Sequence, residues 1–254
     1  MRVELPRAVH RIDQRDAIEA RLSELRRSGG DSVRSVTRLA GDRVYYLKRA
    51  VGENQFKLVM RQGLAGPERV LVDPKVETDR TQVPHAINHF SPSWDGRYVA
   101  YGMSAGGSEQ ASLFVLDLAS GKTVGEPVPR VLTAVHWLPD SRGLLFNQLK
   151  EMAPGDAETD YYRDSRVFLW RLAGAAFSSG KPEAVFGRTD TPKLSLDRLD
   201  VAELITAPGS RWVVARTTDT TVPEGKLFVA PVAQLGRPGI VWRAIGEPAD
   251  KMQA

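Results

Sequence analysis

A chain of 254 residues with 42% hydrophobic side chains is long enough to bury the core of one sizeable all-β domain. It holds no cysteine, which excludes disulfides and cysteine-ligated metal. The net charge of +4 is uneven: residues 1–49 carry +5 and the remainder −1, so no basic stripe marks the body of the chain as a nucleic-acid surface.

Residues 1–11 carry no usable pattern. Met1 to Pro6 lacks the apolar core of a signal peptide, and no apolar run approaches the ~18 residues of a membrane span. A cytoplasmic location is expected, with a periplasmic parent left open. Residues 13–28 read as a helix, with Asp13 as N-cap and Gly29-Gly30 as its stop. Ile18, Leu22 and Leu25 recur at i, i+4 and i+7 and give it one narrow apolar stripe. That pattern fits a helix docked on a larger body. A membrane-surface helix fits less well, because Asp13, Asp16, Glu19 and Glu24 interrupt the basic face.

From Val33 onward the chain reads as strands and turns, and it repeats itself. Gly41-Asp42-Arg43-Val44-Tyr45-Tyr46-Leu47 is a tight turn feeding a strand. The same phrase returns as Ser93-Trp94-Asp95-Gly96-Arg97-Tyr98-Val99-Ala100-Tyr101, as Asp140-Ser141-Arg142-Gly143-Leu144-Leu145-Phe146, and as Pro208-Gly209-Ser210-Arg211-Trp212-Val213-Val214. A second apolar phrase comes after each copy, at 56–60, 113–118, 167–172 and 227–232. The spacings are 54 residues from Val44 to Tyr98, 46 to Leu144 and 68 to Trp212. Periods of roughly 40–50 residues with several strands each are those of propeller blades, and longer ones indicate loop insertions.

Four blades are expected after a helical segment spanning 1–32, so that 33–254 forms a partial β-propeller of four-stranded blades. The expected strands are 33–39, 44–49, 55–61 and 69–72; then 85–90, 97–103, 111–117 and 123–125; then 131–137, 143–149, 165–171 and 183–186; then 199–206, 211–217, 226–232 and 239–244. Pro127 and Pro129 should fall between blades, where a missing donor does no harm. The five tryptophans, Trp94, Trp137, Trp170, Trp212 and Trp242, are expected to pack between blades.

Few residues suggest chemistry. Gly102-Met103-Ser104-Ala105-Gly106 matches the nucleophile elbow G-x-S-x-G. The elbow needs a strand, a strained turn and then a helix, but the residues after Gly106 are polar and then strand-like. The order Ser104, Asp117, His136 is formally that of a hydrolase triad, which keeps an esterase as a remote alternative. His85 and His89 have the spacing of a helical zinc pair, but Pro84 and a strand-like context oppose it. His136, beside Trp137, reads as a packed or edge histidine. Asp156-x-Glu158-x-Asp160 alternates as a calcium loop does, but Tyr161 stands where that loop needs glycine, so a solvated acidic loop is expected.

The phrases, in order, resemble the propeller domain of the prolyl oligopeptidases, the post-proline serine peptidases. Val70-Leu71-Val72-Asp73-Pro74 resembles that family's "LLDP" phrase, and Ser91-Pro92-Ser93-Trp94-Asp95-Gly96-Arg97-Tyr98-Val99-Ala100-Tyr101-Gly102 its "SPDGKYLAYG". Ser104 to Glu109 resembles its "S-x-x-G-S-[DE]", and Trp137-Leu138-Pro139-Asp140 its "WLPD". Tyr162 to Leu169 resembles its "YR-x-S-[KR]-V-Y-L-H", with Trp170 in place of the final histidine. The resemblance runs from about 13 to 246.

The resemblance implies a propeller of about seven blades that caps an α/β-hydrolase domain bearing a Ser-Asp-His triad and restricts entry to short peptides. No triad position of that family exists in this chain, so no catalytic, cofactor or metal residue is carried over, and Ser104 falls in a propeller phrase. The expectation is a non-catalytic, substrate-gating propeller portion. Its partners would be short peptides or the missing catalytic domain, not nucleic acid or membrane. The alternative is a free-standing propeller-like module that binds protein or peptide. A four-blade segment with no cap is further expected to be continued by more blades and a hydrolase domain.

Overall fold

The four copies of the turn-and-strand phrase become the second strands of four antiparallel blades. The computed structural model describes residues 14–173, 176–177, 181–219 and 224–250. Blade one is β1 (Ser32–Leu39), β2 (Arg43–Arg49), β3 (Lys57–Gln62) and β4 (Arg69–Val72), paired in that order. Blade two is β5 (His85–Pro92), β6 (Tyr98–Ala105) and β7 (Ala111–Asp117), continued by the two-residue β8 (Lys122–Thr123) and by β9 (Val128–Val131). Blade three is β10 (His136–Trp137), β11 (Gly143–Gln148), β12 (Arg166–Ala173), β13 (Ala176–Phe177) and β14 (Glu183–Phe186). Blade four is β15 (Asp200–Ile205), β16 (Trp212–Asp219), β17 (Gly225–Pro231) and β18 (Arg243–Gly246). The expected all-β partial propeller behind a short helix is therefore the observed fold.

Alternation along each second strand builds the core. Successive side chains point to opposite faces, so β6 sends Tyr98 and Ala100 toward blade three and Val99 and Tyr101 toward blade one. Strand β11 does the same, with Leu144 and Phe146 toward blade two and Leu145 toward blade four. Each interior sheet is apolar on both faces, which is why seven of the eight residues of β6 are buried. Three apolar layers result, one at each of the three blade–blade interfaces.

The turn phrase also locks each blade to the next. Arg43 Nη1 donates to Asp95 O at 3.0 Å, and Asp95 N donates to Ser141 Oγ at 3.2 Å, so the turns of blades one, two and three form a chain. Trp137 Nε1 reaches Ser91 O at 2.9 Å, and Trp94 Nε1 reaches Trp137 O at 3.3 Å. Thr206 Oγ1 of blade four donates to the same Trp137 carbonyl. Four of the five tryptophans pack in or against the blade–blade layers, as expected. Trp212 does not: it is 46% exposed, on the far side of blade four.

Several elements depart from the sequence reading. Residues 131–137 are two strands, because β9 runs between blades and pairs with both β7 and β11 before the chain turns into β10. Pro129 therefore lies inside β9, with its carbonyl accepting from Gln148 Nε2 at 2.9 Å. The blade-two edge expected at 123–125 is shared by β8 and β9, and the closing strand of blade four is 243–246 rather than 239–244. The helix α1 spans Arg15–Ser28, with Gln14 as its N-cap; Asp13 lies outside the described residues. Its stripe is not covered, since Ile18, Leu22 and Leu25 are each about half exposed. A helix α2 (Pro74–Thr81) stands where no helix was expected.

Candidate functional site at the inner edge of the blades

The first strands of the blades approach one another, β5 against β10 and β10 against β15. They form the inner edge of the ring segment. There His136, on β10, places Nε2 at 2.7 Å from Glu203 Oε1 on β15. Arg216, opposite Glu203 across the β15–β16 ladder, donates from Nη2 to Oε2 at 2.7 Å. The Glu203 side chain is only 11% exposed. Burial alone would push its pKa up, but His136 and Arg216 outweigh burial and hold the carboxyl below the usual carboxylate range.

Polar contacts around this pair tie blade three to blade four. Asn147 Nδ2 donates to Ala202 O at 3.0 Å and to Ser165 Oγ at 3.2 Å, and Ser165 Oγ donates to Asp200 O at 3.2 Å. Asp164 accepts from Arg188 and Arg198, both at 2.9 Å, and its carboxyl is also held low; burial opposes the shift and the two guanidinium groups dominate it. Both oxygens of Glu203 are engaged, so the cluster is built to hold its carboxylate as an anion and to join blades. A general base needs a free oxygen facing a substrate proton.

The structure does not assemble Ser104, Asp117 and His136. Ser104 is 6% exposed in β6, and the chain continues through a turn, with Ser108 N bonded to Ala105 O at 3.1 Å, into strand β7 rather than a helix. Asp117 lies at the opposite end of the β6–β7 ladder, opposite Tyr98, and its carboxylate caps a turn by accepting from Ala119 N at 2.8 Å. His136 is taken by Glu203.

His85 and His89 lie on β5 and share no helix face. His85 Nδ1 contacts Val83 O at 2.8 Å. His89 is half-buried against Gly102, its enclosed Nε2 has no hydrogen-bond partner among the described residues, and burial of the ring pulls its pKa down to about 4. In the acidic loop, Asp156 pairs with Lys150 at 2.8 Å and Asp160 with Arg163 at 2.7 Å, so these carboxylates are already neutralised by neighbours. Among the described residues no three metal-ligating side chains converge. No described helix is long and apolar enough to cross a membrane.

One groove of about 470 Å³ opens between the outer halves of blades three and four, lined by Glu183, Lys193, Leu194, Ile240 and Trp242 among others. Sequence reasoning did not find it, because its walls come from β14 and from the segment before β18, far apart in the chain. The His136–Glu203–Arg216 cluster was missed for a similar reason. Only the cross-strand register of β15 and β16 could have signalled it, by setting Glu203 opposite Arg216.

This geometry is that of a known family. Residues 7–237 match the family model of the prolyl oligopeptidase N-terminal β-propeller domain. The chain belongs to that family. A solved prolyl endopeptidase superposes with a TM-score of 0.74 at 21% identity, over 95% of this chain and 33% of its own. Prolyl oligopeptidase B from Galerina marginata superposes at 0.71 and 17% identity, over 91% and 34%. A post-proline cleaving enzyme from Rickettsia typhi gives 0.66 at 12% identity, over 96% and 35%. These likenesses show the fold. The uncharacterized peptidase y4sO of Sinorhizobium fredii is 31% identical over 83 residues, which are 33% of this chain and 12% of that protein. The propeller family member described here thus spans about a third of the solved structures it resembles.

Proposed function

We propose that this propeller serves a post-proline serine peptidase by admitting short peptides and excluding larger chains, without breaking bonds itself. The observation that carries the reading is the family match over residues 7–237, on a fold whose inner edge is closed between blades three and four by the His136–Glu203–Arg216 tie. The triad candidates support the second half of the reading, because Asp117 and His136 are bonded elsewhere and Ser104 is buried within β6. Isothermal titration with a short proline-containing peptide, free or embedded in a folded carrier protein, tests it. Saturable binding of the free peptide alone is expected. Equal binding of the carrier, or no binding of either, contradicts the reading.

The groove between blades three and four favours a second reading, a binding module whose ligand sits outside the inner edge. An Ile240→Asp change separates the two. It should abolish peptide binding if the groove is the site and leave it unchanged if the inner edge is.

A further inference from the structure

Blade one contains two cations that the fold gathers but does not neutralise. Arg34 of β1 and Arg49 of β2 both hold their guanidinium carbons over the ring of Phe56, at 4.1 and 4.9 Å from its centroid. The two groups therefore cannot be farther apart than the sum of those distances. Like charges within that range repel, and repulsion is weakest in water and stronger beside an apolar ring. No carboxylate among the described residues offsets them.

The surrounding charges make that omission specific. Lys48 is paired with Asp31 at 2.9 Å and Glu68 at 2.8 Å, Lys57 with Glu53 at 2.6 Å and Asp73 at 3.2 Å, and Arg61 with Glu68. Arg43 and Arg69 are bonded to backbone carbonyls of blade two at 3.0 and 3.1 Å. The acids nearest in sequence are thus consumed: Asp31 also accepts from Val51 N at 3.2 Å, and Glu53 from Ala50 N at 3.3 Å.

Two local features keep the pair presented. The β1–β2 register shifts just after Arg34, where Ser35 takes a positive φ of 55°, a value uncommon for a residue with a Cβ. Bulges of this kind re-aim side chains and recur beside functional sites. Arg49 also lines a polar cleft with Ser32 and the 50–54 loop, so open space adjoins it. Arg34 is exposed, and Arg49 and Phe56 are half-buried, so a ligand can approach the guanidinium groups from solvent beside the ring.

We propose that Arg34 and Arg49 form a carboxylate-binding site at the inner edge of blade one, taking the free C-terminus of a short peptide. A planar carboxylate matches the forked donors of two guanidinium groups, which a single point charge does not. The choice of a peptide as ligand rests on the reading of the chain as a peptide-admitting propeller; the cation pair does not.

The test monitors arginine Nε–H and Phe56 ring signals by NMR in the whole chain. The probes are an N-acetylated tripeptide with a free carboxylate, its C-terminal amide, and inorganic phosphate. The acid should shift the Arg34, Arg49 and Phe56 signals saturably, with the amide about tenfold weaker, the scale of one lost charge-assisted contact. Arg34→Gln and Arg49→Gln should each weaken the acid several-fold and leave the amide unchanged, and Lys75→Gln, on α2, should change neither. Arg→Lys variants, which keep charge and fold, should recover only part of the affinity.

Equal shifts from acid and amide, or glutamine variants that bind the acid as the parent chain does, overturn the site. Peptide binding that leaves all three signals unmoved also overturns it, while sparing the peptide-admitting reading. Phosphate binding tighter than the acid overturns the assignment to carboxylates.

Discussion

His89 shows how a single residue can set the pH range of this fold. The fold holds its imidazole neutral down to about pH 4, because burial against Gly102 removes the water a charged ring needs. Unfolded, the ring takes a proton near pH 6.5. Stability from this group is therefore complete above about pH 6.5 and falls as pH drops toward the folded value. The loss approaches about 3 kcal/mol by pH 4, at about 1.4 kcal/mol for each unit between the two pKa values. Urea unfolding between pH 7.5 and 4.5 should show that decline, and His89→Leu should flatten it. An unchanged pH slope in the variant contradicts this account.

Two glycines make a second prediction at the same scale. Gly96 sits at φ 66° in the blade-two turn, and a Cβ there would run into the Arg43 guanidinium that bonds Asp95 O. A Cβ on Gly102 would run into the His89 ring. Alanine at Gly102 should lower stability by about 1–3 kcal/mol, the usual cost of overpacking, and alanine at Gly96 by about 1 kcal/mol, chiefly through its positive φ. Thermal melts that match the parent chain would contradict both placements. Gly102 thus belongs to packing, and its place in G-x-S-x-G carries no strained turn.

At the scale of elements, β10 and β15 are joined by the half-buried His136–Glu203–Arg216 cluster. Removing one member leaves a partly buried polar or charged group without its partner, which costs about 1–3 kcal/mol. Glu203→Ala should therefore destabilise far more than Glu151→Ala, whose side chain is 83% exposed in the 150–166 loop. A double-mutant cycle over His136 and Glu203 should give a coupling of about 1–3 kcal/mol. Additive effects would show that the two do not interact.

The elements also show what the sequence can reveal. Strands β2, β6 and β11 were legible because both of their faces are apolar, and β16 because its inner face is apolar; a turn phrase precedes each. Helix α2 was not, since only Pro74 is buried in it and Val76 is 65% exposed, so it has no apolar stripe. Its signal lay in cap chemistry instead: Asp73 accepts from Lys75 N at 2.9 Å, with Pro74 at the first helical position. Strand β9 was hidden because Pro127, Pro129 and Arg130 make it read as a link between blades, and only Val131 fell within an expected strand. The inner-edge cluster joins residues 67 apart in sequence, and no periodicity along one strand reports such a pairing.

For the whole molecule, the two outer blade faces differ in how far their apolar side chains are covered, although Val70, opposite Val59 on blade one, is itself 51% exposed. On blade one, Val44, Tyr46 and Val59 are buried beneath a polar layer in which Tyr46 Oη donates to Glu68 Oε1 at 2.7 Å, and Lys48 and Arg61 flank the same carboxylate. On blade four, Trp212, Ile245 and Val241 are 46%, 45% and 72% exposed. Exposed apolar surface of this kind binds dye and promotes association. The isolated chain should bind an apolar dye or self-associate through blade four, and Trp212→Lys should weaken both. A monodisperse chain that binds no dye would contradict this.

The role proposed for this propeller is admission of peptides and not bond cleavage. The most direct measurement is turnover of a chromogenic post-proline peptide by the repurified chain, read together with labelling by a serine-directed phosphonate. The account predicts no turnover and no label. Turnover that survives repurification and disappears in Ser104→Ala would contradict it and assign the chemistry to Ser104.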